Sequence, residues 1–120
     1  MSTFSDYRFT PFAEHIRSCC RKSLLSLGKS ANARILSLPD AFLEERKENP
    51  YARFLLSLKR HGQSLNEFER RILLSEAIER GLHYRYWYVS FIGERDYRRL
   101  RAKVCLQPFH AAKKEGLWLW

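Results

Sequence analysis

The chain is punctuated for helices. Three segments carry residue combinations that start one: Thr10-Pro11, Asn49-Pro50 and Ser64-Leu65-Asn66-Glu67. In the first two, a side-chain oxygen can accept from an orphan amide of the first turn, and proline follows at the first helical position, where its missing N–H costs nothing. In the third, a hydroxyl and a carboxylate satisfy each other's amides across a capping box. Glycines 28, 62 and 81 stand where the periodic stretches stop. A chain of 120 residues has room for one modest core. These signals predict an all-α fold: a compact single-domain bundle of four to six helices over residues 1–120, with a central capped helical hairpin at residues 49–81.

The apolar spacing fills in the elements. Phe12, Ile16, Cys19, Cys20, Leu24 and Leu27 recur every three or four residues after Thr10-Pro11, which predicts a helix ending at Gly28 with Arg17, Arg21 and Lys22 on its other side. Pro39-Asp40 opens a short helix with an acid at the positive end of its dipole. Tyr51, Phe54, Leu55 and Leu58 make one stripe, and His61-Gly62 closes that helix. Residues 64–80 form the second arm of the hairpin; its apolar residues fall on several sides, which predicts a central helix, and Leu74→Asp there is expected to unfold the domain.

Between Leu82 and Val104 the composition changes. Tyr84, Tyr86, Trp87, Tyr88 and Phe91 crowd the first half of this stretch, and Arg95, Arg98, Arg99, Arg101 and Lys103 the second, against only Glu94 and Asp96. The period over residues 83–92 fits helix or strand; the lack of any comparable second strand favours helix, because an unpaired strand leaves its backbone unsatisfied. Beyond Gly93, Tyr97, Leu100 and Val104 face inward, and the cations face out with no compensating acids at i+4. Pro108 and Gly116 hold the tail away from helix. The two Trp and two Leu of residues 117–120 fold back over a groove or enter a partner; folding back is the favoured reading.

Charge narrows the function. The net charge of +9 with a pI near 9.8 implies an acidic partner. The excess lies in residues 1–38 and 82–104, each with six basic and two acidic residues. If these flanks fold onto one side they make one basic face. Arginines supply planar, permanently charged donor forks for phosphate, and aromatics supply stacking surfaces; of Tyr84, Trp87, Tyr88 and Phe91, no more than one or two are expected to be exposed.

Other chemistries find little support. A helix–turn–helix at residues 54–73 would present Glu67 and Glu69 to phosphate, so the turn reads as a plain hairpin. His15, Cys19, Cys105 and His110 match no zinc-site spacing, and no metal or cofactor is expected. No nucleophile–base–acid set and no glycine-rich phosphate loop is present, so a non-enzymatic protein is expected. Three cysteines without framework spacing point to an intracellular, cytoplasmic location. The Ser- and Arg-rich residues 7–38 make a mitochondrial one the alternative. No transmembrane segment is expected.

The resulting expectation is a nucleic-acid backbone-binding protein, for RNA or DNA, as a small basic subunit of a nucleoprotein complex. Its phosphate contacts are assigned to Arg95, Arg98, Arg99, Arg101, Lys103 and Arg85, joined by Arg17, Arg21 and Lys22 if the first helix lies alongside. The alternative is an accessory or adaptor subunit that docks protein subunits of a larger, even membrane-associated, complex through the basic-aromatic face and through Trp118 and Trp120.

Overall fold

The computed structural model describes residues 6–78 and 87–118. Among the described residues the fold is an all-α helical bundle without strands: α1 (Asp6–Ser26), α2 (Asp40–Glu44), α3 (Pro50–Ser64), α4 (Glu67–Leu73) and α5 (Glu94–Lys114). Short 3-10 turns at Ile35–Ser37 and Trp87–Ser90 and a π-helical turn at Leu74–Ile78 complete it. The end of the expected hairpin, residues 79–81, lies outside the described residues, as do Tyr84 and Tyr86.

The start signals are real but not always where their residues suggest. At Asn49-Pro50 the expectation holds in detail, with Asn49 Oδ1 accepting from the Tyr51 amide at 2.9 Å. α1 instead starts at Asp6 and carries Pro11 inside it. The capping box is displaced by two residues. Asn66 Oδ1 accepts from the Glu69 amide at 2.8 Å, and Glu69 Oε1 accepts from the Asn66 amide at 3.1 Å. Ser64 is left as the last residue of α3, its hydroxyl donating to the His61 carbonyl at 2.7 Å. Asparagine is as good an N-cap as serine, so two candidate boxes overlapped, and α3 ran through Gly62 to select the later one.

The centre of the bundle is α3, the first arm of the hairpin rather than the second. Ala52, Phe54, Leu55 and Leu58 are fully buried, and α3 packs against α1, α2 and α5. In α4 and its π turn, Ile72, Leu73 and Ala77 face the core, whereas Leu74 is half-buried. A buried lysine ties α2 to α3: Lys59 Nζ donates to the Leu38 carbonyl and, at 2.6 Å, to Asp40. That hydrogen bond is the main cause holding the Asp40 carboxyl below its ordinary value.

α5 departs most from the expectation. It continues through Pro108 to Lys114. An interior proline removes the N–H that would bond the carbonyl four residues back, here Val104, and its ring pushes that carbonyl away. His61 of α3 fills the gap: its Nε2 lies 2.8 Å from the Val104 carbonyl oxygen, which can only accept. Tertiary packing thus supplies the bond that the sequence of α5 lacks. α3 and α5 run antiparallel, with Arg53 bonded to Glu115 and Ser57 to Gln107 at 2.8 Å each.

Gly116 then reverses the chain. Its φ of +74° suits glycine, and the Leu117 amide returns to the Ala112 carbonyl at 2.8 Å while the Gly116 amide bonds Lys113 at 3.1 Å, a Schellman cap. The reversal lays Trp118 against His15, Phe12 and Phe109, at ring-centroid distances of 4.2, 5.4 and 4.8 Å. As far as Trp118, the last described residue, the tail folds back as favoured, and Trp118 is buried.

Candidate nucleic-acid interface

The outer face of α5 collects the basic residues. Its inner face is fixed by Tyr97, Val104, Cys105, Pro108, Ala111 and Ala112, all buried. Tyr97 sets the start of the helix: its ring stacks on Tyr88 with centroids 3.6 Å apart and planes 7° from parallel, and its hydroxyl donates to the Glu76 carboxylate. Burial, and next the Glu76 charge, push the Tyr97 phenol well above its ordinary value. It therefore stays neutral and a donor.

With that face inward, Arg95, Arg99, Lys103, His110 and Lys113 follow at steps of four, four, seven and three residues, each of which returns to the same side of a helix. Lys114 borders the row. All six are exposed. At 1.5 Å per residue the row from Arg95 to Lys113 is about 27 Å long. Arg95, Arg99 and Lys103 have no acid partner among the described residues. The last third of the row was not expected, because Pro108 read as a helix breaker. Continuing the same three-and-four spacing through Pro108 would have revealed it.

Two other predicted contacts of α5 are engaged. Arg98 is bonded to Glu94 at 2.6 Å, so an acid one turn away does compensate it. Exposed i, i+4 pairs of this kind are worth only a few tenths of a kcal/mol, and a phosphate can compete for the guanidinium. Arg101 does not face out: it is half-buried, with its guanidinium 4.2 Å from the centre of the Phe9 ring. Its position, two residues after Arg99 on a helix of 3.6 residues per turn, turns it toward α1.

Of the first helix's three assigned cations, Arg17 is taken up by the fold and does not reach this row. Arg17 is buried, donating from Nη1 to the Glu76 carbonyl, with Glu14 3.9 Å from its Nη2. It belongs to the packing of α1 on the π turn, not to a solvated side. Arg21 lines a cleft of about 680 Å³ with Glu14, Arg34 and Ile78. Lys22 is exposed near His15, whose imidazole pKa is lowered by burial and secondarily by that lysine's charge. Arg17 and Arg21, one turn apart, line the same cleft, Arg17 buried and Arg21 in solvent, whereas Lys22 lies about 100° further around the helix. Arg85 and Trp120 lie outside the described residues.

Among the described residues no three His, Cys, Asp or Glu side chains gather as metal ligands, and no helix is long and apolar enough to cross a membrane. Cys19, Cys20 and Cys105 are buried free thiols, and burial raises the pKa of each. No protein-family profile, curated protein or solved structure matches the chain.

Proposed function

We propose that the protein binds the sugar–phosphate backbone of nucleic acid along the outer face of α5. The observation that carries this reading is the exposed row Arg95, Arg99, Lys103, His110 and Lys113 on one side of a 21-residue helix. Such a row meets successive phosphates of one strand and releases their counterions. Contacts of this kind position a protein without reading sequence, and Gln107, the amide between Lys103 and His110, is engaged by Ser57 of α3. Arg98 adds to it when phosphate displaces Glu94. Arg17 and Arg101 are structural in this reading, and Arg21 and Lys22 are peripheral. Docking of a protein partner is less well supported, since Trp118, one of its two proposed anchors, is buried.

The test is a salt titration of oligonucleotide binding by fluorescence anisotropy. Wild-type affinity is expected to fall steeply between about 50 and 200 mM salt and to differ little among sequences. Replacing Arg95, Arg99 and Lys103 together by Gln is expected to reduce the slope of log affinity against log salt by about 3 units on duplex and about 2 on a single strand. A triple variant with wild-type affinity and slope refutes the reading.

A further inference from the structure

Of the described aromatics between residues 87 and 91, one is left over by the core, and it sits beside the basic row. Trp87 and Tyr88 are buried, whereas Phe91 is 62% exposed and its neighbour Val89 61%. Phe91 is not loose. Its ring lies edge-on to Phe68 of α4 at 5.8 Å and is tilted against Trp87 at 6.4 Å, and its amide bonds the Tyr88 carbonyl at 2.8 Å. Two rings thus hold it from below while much of its surface meets solvent. Trp87 carries the exposed Arg71 guanidinium 4.2 Å from its ring centre. Arg95, the first cation of the row, follows Phe91 by four residues, within about 14 Å along the chain.

We infer that Phe91 is a stacking platform for an unpaired base, and that the nucleic acid this protein prefers is single-stranded. The inference rests on the proposed phosphate contacts of α5. A base in a duplex has both faces occupied by its neighbours, so stacking on an exposed ring there first requires a base step to be unstacked, a cost that a strand with free bases avoids. Arg71 on one side and Arg95 and Arg99 on the other can hold the flanking phosphates. The exposed Asp96 and the Arg98-paired Glu94 lie in the first turn of α5. They disfavour a duplex, whose two backbones would have to pass them, more than one strand that can steer its phosphates toward the arginines.

The experiment compares a fluorescein-labelled single strand with its duplex, for wild type and for Phe91→Ala, Phe91→Leu and Phe91→Trp, after circular dichroism has shown each to be folded. Leucine keeps the apolar bulk without a π face, and tryptophan keeps the face. Phe91→Ala and Phe91→Leu are expected to weaken single-strand binding about 5- to 150-fold, duplex binding by less than about 2-fold, and neither salt slope, while Phe91→Trp binds as wild type. Single-strand binding unchanged in Phe91→Leu overturns the platform, as does an equal loss on strand and duplex. If the Phe91 variants bind normally while the Arg95/Arg99/Lys103 triple change does not, the platform falls and the phosphate contacts stand. Wild type that binds neither probe removes both. A concentration-dependent dimer in sedimentation that Phe91→Ala abolishes, with nucleic-acid binding intact, assigns the patch to a second copy and overturns the inference.

Discussion

The bond from His61 to the Val104 carbonyl makes α5 continuous, and it can be tested by a double-mutant cycle with Pro108. In the wild type the carbonyl has His61 Nε2 at 2.8 Å and no backbone N–H from Pro108. Val104 is 1% exposed, so water is a poor substitute. His61→Ala leaves that carbonyl unsatisfied, at a cost of about 1–3 kcal/mol. For a chain of this size that lowers Tm by roughly 3–5 °C per kcal/mol. Pro108→Ala restores an amide and removes the ring clash, but it frees the unfolded chain by about 0.4–1 kcal/mol and leaves a small void, so alone it should change stability little. In the Pro108→Ala background the restored backbone N–H takes the carbonyl, and His61→Ala then costs only its lost packing. The expected coupling is about 1 kcal/mol, read from urea unfolding followed by circular dichroism at constant m-value. Additivity within about 0.3–0.5 kcal/mol would refute the idea that His61 replaces the proline's missing donor.

Other consequences follow from burial and charge. Leu73→Ala should cost about 2–5 kcal/mol in the same assay and half-buried Leu74→Ala distinctly less, reversing the importance that the sequence suggested. Gly62 faces Leu36, whose Cδ2 would stand 2.8 Å from an added Cβ. Gly62→Ala should therefore be near neutral, the methyl displacing a flexible side-chain end while helix propensity improves, and Gly62→Leu should cost about 1–3 kcal/mol by overpacking. His15 has a lowered pKa in the fold because burial against Trp118 disfavours its charged form. The unfolded chain then takes up protons first as pH falls below about 6.5, so stability declines from pH 7 toward pH 5. In His15→Gln that decline should be shallower in thermal melts across the same range; an identical pH profile would count against a neutral, half-buried His15.

Much of the bundle could be read from the chain because helix starts, stops and stripes are local. Asn49 caps its own neighbour's amide, Gly28 ends α1, and Phe12, Ile16, Cys19, Cys20 and Leu24 mark a buried side by spacing alone. These choices depend on residues within a turn or two. The same locality explains the errors. Pro11 and Pro108 look like boundaries because the chain alone shows only a missing donor and a clash, and α5 carries on past Pro108 with a histidine of α3, remote in sequence, beside Val104. Ser64 and Asn66 were equivalent caps in isolation, and the length of α3 chose between them.

For the candidate site, the order of residues alone sets cations and aromatics next to one another between residues 82 and 104, in a chain of charge +9. Composition and spacing suffice for that. Which of them face out depends on packing. A helix has one interior side, and a residue's side is settled by what its neighbours pack against. Tyr97 stacked on Tyr88 turned Arg95, Arg99 and Lys103 to solvent and Arg101 toward Phe9. Packing of α1 on the π turn at Leu74–Ile78 took Arg17 into the interior, where the Glu76 carbonyl receives it. Phe91 was left exposed because the core was already filled by Trp87 and Tyr88. A small domain has few interior places for large rings, and the last ring in a crowded stretch stays at the surface.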